Sequence, residues 1–126
     1  MWLAKRAVLV FLLSLLVPCI QQAEARSHHA QDVNSIKSIA ITELVPEARV
    51  TLKLIKQHGP FPYPRDGVVF GNYEKHLPNK QRGYYHEYTV KTPGVRNRGA
   101  RRIVCGKLSE CYYSDDHYQS FKLIRE

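Results

Sequence analysis

The feature that most constrains this chain is the run Gly83-Tyr84-Tyr85-His86-Glu87-Tyr88-Thr89-Val90, followed by Lys91-Thr92-Pro93-Gly94 and then by Arg96, Arg98, Arg101 and Arg102. Aromatic and β-branched residues specify a strand, Pro-Gly specifies a turn, and the arginine-rich run is expected to return as a second strand. A carboxylate is thereby set opposite guanidinium groups.

Side chains alternate across a strand, so Tyr85, Glu87 and Thr89 share one face, and Tyr84, His86, Tyr88 and Val90 the other. The same parity groups Arg98 with Arg102 and sets Arg101, Ile103 and Cys105 opposite. With Ile103 turned towards a covering helix, Arg98 and Arg102 face solvent and Glu87 falls within a residue or two of Arg102. A lone surface ion pair stabilises by only about 0–1 kcal/mol. Four arginines within seven residues exceed what one local glutamate can neutralise. The surplus calls for a further anion, and the planar guanidinium suits phosphate because it can donate to two oxygens at once. His86 points away from this face and reads as structural.

The cover for the sheet comes from Leu44, Ala48, Leu52 and Ile55, which recur at helical spacing. Pro46 and Glu47 fit the first turn, and Lys53, Lys56 and His58 gather near the far end, as the helix dipole favours. Gly59-Pro60-Phe61-Pro62-Tyr63-Pro64 is then a stiff connector, and Arg65-Asp66-Gly67 a turn. Val68-Val69-Phe70, Ile103 to Cys105, Glu110 to Tyr113 and Tyr118 to Ile124 supply further strands. The expected fold is α+β: one N-terminal helix on a single antiparallel sheet of about four to five strands around one modest core.

Residues 1–25 read as a secretory signal, with Lys5 and Arg6 before an apolar run and Ala23-Glu24-Ala25 around a cleavage point. A retained membrane anchor and a lipid-attachment role for Cys19 are the weaker alternatives, and no stable membrane insertion is expected after cleavage. Residues 26–39 form an expected flexible leader in which His28-His29 is solvated, and the folded domain spans residues 40–126. Of the remaining cysteines, Cys105 and Cys111 suit either a bridge across a hairpin or plain apolar burial. The formal charge of +8 and pI near 9.6 favour an acidic partner such as nucleic acid or an anionic membrane, without naming one.

Two other places carry chemistry. His117 stands in the loop Ser114-Asp115-Asp116-His117, and histidine, the commonest proton donor or acceptor in catalysis, could complete an acid and base pair with Glu87. Phe70-Gly71-Asn72-Tyr73-Glu74 combines aromatics able to stack on a base with a carboxylate able to accept from guanine's ring N–H and amino donors. Read alone, a loop histidine is more often a solvated surface group, and the Phe70 to Glu74 stretch more often an ordinary strand-ending turn.

Leu44-Val45-Pro46-Glu47-Ala48, Gly59-Pro60-Phe61-Pro62-Tyr63, Asp66 to Phe70, Leu77-Pro78, Gly83 to Val90, Thr92-Pro93-Gly94, Arg98-Gly99, Arg101-Arg102-Ile103 and Tyr112-Tyr113 through Asp116-His117-Tyr118 together resemble the microbial guanyl-specific ribonucleases. The likeness is to the small secreted enzymes of the Streptomyces type, relatives of barnase. The resemblance implies Glu87 as general base, His117 as general acid, and Arg98 and Arg102 as phosphate holders. It implies Glu74 as the reader of guanine with backbone N–H groups near Asn72 and Tyr73, Phe70 and Tyr118 as aromatics bordering the base, and Tyr85 as a donor near the phosphate. It implies single-stranded RNA as substrate, a monomer, and neither metal nor cofactor. Three departures stand out. Ala40 occupies the place of the first cysteine of the family's terminal bridge, Gly71 and Tyr73 replace longer polar residues, and Cys111 follows a shortened loop. A toxin held by a small acidic protein inhibitor is a variant of this reading, and a non-catalytic cationic binding protein is the alternative to it.

Overall fold

Pro46 opens helix α1 (Pro46–Lys56), where its missing N–H costs nothing, and Glu47 stands in the positive first turn. Leu44, Ala48 and Leu52 are buried on the stripe expected from their spacing, and Ile55 packs against them. The Thr51 hydroxyl accompanies that stripe and donates to Thr89 O (3.2 Å), tying helix to sheet. This computed structural model describes residues 35–126. The expected signal, Cys19 and the leader through residue 34, with His28 and His29, lie outside the described residues.

The sheet has six strands: β1 (Ser38–Ala40), β2 (Val69–Phe70), β3 (Tyr85–Thr89), β4 (Arg102–Cys105), β5 (Cys111–Ser114) and β6 (Lys122–Arg125), in spatial order β1-β6-β5-β4-β3-β2. Strands β2 to β6 form an antiparallel meander, but β1 runs parallel to β6. The sheet is therefore mixed, with one strand more than the expected maximum. Strand β1 lies partly inside the stretch expected to be leader. Three edge residues are too few to display an alternation, and backbone pairing such as Leu123 N–H to Lys37 O (2.8 Å) holds them.

The arginine run also differs from expectation. Arg96, Arg98 and Arg101 lie in the connection between β3 and β4, and strand pairing begins only at Arg102. Pro93-Gly94 does turn the chain, with Gly94 at φ +81°, where a side chain would be strained.

Both sheet faces carry apolar clusters, in place of the one core expected. Beneath α1 lie Val90, Ile103, Cys105, Cys111, Tyr113 and Ile124. On the opposite face Leu77, Tyr85, Val104, Tyr112 and Phe121 form a second cluster, flanked by Phe70 and Tyr118. Cys105 and Cys111 are register partners on β4 and β5 and form a disulfide. Among the described residues no helix is long and apolar enough to cross a membrane.

Helix α1 ends in a two-bond cap: His58 N–H reaches Ile55 O (3.1 Å) and Gly59 N–H reaches Leu54 O (2.9 Å). The residue before Gly59 is His58 at φ +60°, a left-handed position that disfavours a Cβ. His58→Gly is expected to raise stability by about 1 kcal/mol in urea unfolding. An unchanged midpoint would show that His58 bears no such strain.

Candidate active site

Glu87 sits at the middle of β3 with its side chain on the face away from α1, and it is only 6% exposed. A buried carboxylate must be paired and hydrogen-bonded. Arg98 Nη2 donates to its Oε1 (3.1 Å) and the Tyr118 hydroxyl donates to its Oε2 (2.8 Å). Arg98 is steadied from the same strand, since its Nε donates to Thr89 Oγ1 (3.0 Å). Arg102 pairs in register with Thr89, two residues from Glu87 as parity required, and its Nε donates to the Tyr118 hydroxyl (3.0 Å).

The expectation that both arginines face solvent needs correction. Arg102 is 2% exposed, and its Nη1 is spent on the carbonyl oxygens of Arg98, Gly99 and Arg101 at 3.3, 3.0 and 2.8 Å. It thus holds the loop that presents Arg98, which leaves Nη2 as the edge of its guanidinium with no hydrogen-bond acceptor among the described residues. Arg98, in that loop, is more open.

The loop after β5 brings His117 and Tyr118 to this centre. His117 N–H donates to Ala100 O (3.1 Å), joining the His117 loop to the arginine loop. Both residues adopt left-handed backbone, at φ +56° and +70°, which is uncommon for side chains of this size and is held by their surroundings. Asp116 supplies the hold: it accepts from Ser114 Oγ (2.9 Å), Ser120 N–H (2.9 Å) and Ser120 Oγ, while Tyr118 N–H donates to Ser114 Oγ (3.0 Å). Burial opposes ionisation of Asp116, but the hydrogen bonds from Ser120 and Ser114 outweigh it and hold its pKa below the usual carboxylate range. Burial and then the bond to Glu87 push the Tyr118 hydroxyl above its ordinary pKa, so it stays a donor.

Phe70, Asn72, Tyr73, Glu74, His117 and Tyr118 line one cleft of about 250 Å³ beside the centre, together with His76 and Gln119. Phe70 and Tyr118 stack at 5.1 Å between ring centroids. Asn72, at φ +51°, donates through Nδ2 to Leu77 O (2.9 Å) and accepts from Leu77 N–H (3.1 Å), closing the loop that carries Glu74. Gly71 and Tyr73 explain one another: a Cβ on Gly71 would lie 2.5 Å from the Tyr73 ring, which folds over it and is met by Arg82.

Tyr85 does not join this group. Its ring is in the second apolar cluster, 2% exposed, and its hydroxyl donates to Pro78 O (2.7 Å), so it braces the loop rather than an anion. Parity gave its face and could not give its depth. Burial pushes its pKa well above the tyrosine range.

Two residues escaped the sequence reading. Arg65, taken only as part of a turn, brings its Nε to 3.9 Å from Glu87 Oε1, because Gly67 and Val68 pair with the backbone of Glu87. His76 contacts Glu74 Oε2 at 2.9 Å. A histidine two residues from the Glu74 carboxylate was the available signal. Among the described residues no cluster of three or more His, Cys, Asp or Glu side chains could hold a metal ion.

Residues 25–125 match the family model described as ribonuclease. The chain belongs to this ribonuclease family. It is 51% identical over 92 residues to guanyl-specific ribonuclease St of Saccharopolyspora erythraea, covering 73% of this chain and 91% of that one. It is 56% identical over 88 residues to guanyl-specific ribonuclease Sa of Kitasatospora aureofaciens, covering 69% and 92%. Among solved structures, ribonuclease Sa2 in complex with mononucleotides superposes with a TM-score of 0.72 at 50% identity, covering 73% of this chain and 96% of that one. A second ribonuclease Sa2 structure, with guanosine-2'-cyclophosphate, gives 0.70 at 50% identity over 72% and 97%.

The Asp116 clamp has a measurable signature. Its folded pKa lies below the usual carboxylate range, so the stability it contributes is fully present above that range and is lost as pH falls through the folded pKa. Asp116→Asn is expected to lower stability at neutral pH and to flatten its decline in acid, as followed by thermal unfolding against pH. Parallel acid curves for the two proteins would remove the clamp.

Proposed function

We propose that this chain is an exported endoribonuclease that prefers guanosine and cuts single-stranded RNA on its 3' side. The observation that carries the reading is Glu87, buried yet joined to Arg98 and Tyr118, with a base-sized cleft ending in Glu74 alongside. A non-catalytic cationic protein would need the charge but has no use for a carboxylate held in that position. The relatives' names and the bound guanosine cyclophosphate of ribonuclease Sa2 support the base preference.

In the first step Glu87 takes the proton from the ribose 2'-hydroxyl, O2' bonds to phosphorus, the P–O5' bond breaks, and His117 gives a proton to O5'. Arg98, Arg65 and the free edge of Arg102 face the charge that grows on the phosphoryl oxygens. In the second step water opens the 2',3'-cyclic phosphate: His117 takes a proton from the water and Glu87 returns one to O2', leaving a 3'-phosphate. The chemistry asks for no metal. Guanine would offer its ring N–H and amino group to Glu74, displacing His76, and lie against the aromatic border that Phe70 and Tyr118 form. The partners of this reading are single-stranded RNA and a small acidic inhibitor able to cover the arginines, and the protein acts as a monomer outside the cell.

Digestion of RNA in EDTA with mapping of the 3' ends is expected to give cuts after guanosine; absence of cutting, or cuts spread over all four bases, would reject the activity or the preference respectively. Glu87→Gln and His117→Ala are each expected to lower kcat by about 10²–10⁴-fold. Near-normal turnover by either variant would remove that residue's role. Gly71→Ala, which must displace the exposed Tyr73 ring, is expected to change KM for guanylyl substrates more than the unfolding midpoint. A loss of stability with unchanged KM would assign Tyr73 to the fold alone.

A further inference from the structure

Beyond the cleft that holds Glu74 lies a second one, of about 570 Å³ against 250 Å³. The two share His76 and Gln119. Phe121 forms the partition, its ring 5.9 Å from that of Phe70 and 6.4 Å from that of Tyr118. The first cleft touches the catalytic centre through His117 and Tyr118, so the three lie in sequence: centre, Glu74 cleft, second cleft. Ile36, Leu77, Pro78 and Phe121 give the second cleft an apolar floor. Lys37 and Lys122, both exposed, stand on its rim with His76. Ser120 also borders it, but its hydroxyl is committed to Asp116.

We propose that this cleft is a subsite for the nucleotide on the 5' side of the cleaved guanosine, its base resting on the apolar floor and its phosphodiester held by Lys37 and Lys122. The inference rests on the guanyl-ribonuclease reading. Once a guanosine has its 3'-phosphate at the arginines and its base against Glu74, the strand's 3' continuation leaves past His117. The 5' continuation is then left on the flank where the second cleft opens. Apolar surface rimmed by cations fits a base and a phosphodiester together, and stacking of this kind tolerates any base. His76 stands at the junction. When guanine takes Glu74, the imidazole loses its carboxylate partner and is left between base and upstream phosphate. Strand β1 has a function in this arrangement, because its parallel pairing with β6 brings Lys37 beside Lys122.

Steady-state cleavage of GpU, pGpU and ApGpU by the mature protein tests the proposal. The wild type is expected to cut ApGpU with a kcat/KM about fivefold above that for GpU, the size expected of two exposed ion pairs, with pGpU in between. Raising salt should erase the difference. In Lys37→Ala/Lys122→Ala the ApGpU advantage should disappear while GpU cleavage stays unchanged, since neither lysine touches the catalytic centre. Equal rates on GpU and ApGpU in the wild type would overturn the subsite. So would a double variant that loses GpU and ApGpU in equal proportion, which would mean a structural role. Failure to cut GpU and ApGpU at all would instead overturn the ribonuclease reading on which the subsite rests.

Discussion

A carboxylate almost sealed from water in the middle of a sheet is the constraint on which the rest of this structure depends. Glu87 buried without partners would lose ionisation or unfold the strand, since a desolvated charge costs several kcal/mol. Its two oxygens are therefore met from two different loops, by Arg98 and by Tyr118. Each loop is then secured in turn: the arginine loop by Arg102, which ties three of its carbonyl oxygens to β4, and the His117 loop by Asp116 and Ser114. The bond from His117 N–H to Ala100 O closes the circuit between them. Removing a partner anywhere in that circuit exposes the same buried charge, so fold and site share one set of interactions.

The second apolar cluster is the other half of this arrangement. A single helix covers one face of the sheet, and the opposite face would be wet without Tyr85, Tyr112, Val104 and Phe121. They raise a platform around Glu87 that lowers the local dielectric and strengthens each hydrogen bond made to it. Phe70 and Tyr118 are the margin of that platform, where packing gives way to a cleft. Their stacking continues the aromatic core into the wall of the cleft without a break in composition.

What could be read from the chain follows from this division. The helix was legible because its stripe has a period, and the proximity of Glu87 to Arg102 was legible because a strand has parity. The placing of Arg98 on the same face as Arg102 rested on a reason that does not hold, since Arg98 is in a loop where parity has no force. Tyr85 failed differently. Alternation assigns a face but not a depth, and its hydroxyl was needed by Pro78 O. Arg65 and His76 were hidden because their approach to carboxylates depends on backbone pairing and a loop closure that composition does not encode. Strand β1 was hidden because three edge residues carry no pattern.

The circuit around Glu87 also bears on whether a group so fully engaged can act as a base. Each carboxylate oxygen has two acceptor positions, and Arg98 and Tyr118 occupy one on each. The remaining positions suffice for a 2'-hydroxyl, provided that the approach is from the narrow exposed side. Arg65 stands at that entrance, 3.9 Å from Oε1 and largely in solvent, so it can turn towards a phosphoryl oxygen without leaving Glu87 unpaired. Arg102 has no such freedom, because moving it would release three carbonyl oxygens. The guanidinium groups are thus graded from fixed to mobile: Arg102 is fixed by the carbonyl oxygens it holds, Arg98 is tied to Glu87, and Arg65 is free to turn. A centre built in this order meets developing charge with little rearrangement, which is the physical condition for electrostatic stabilisation of a transition state.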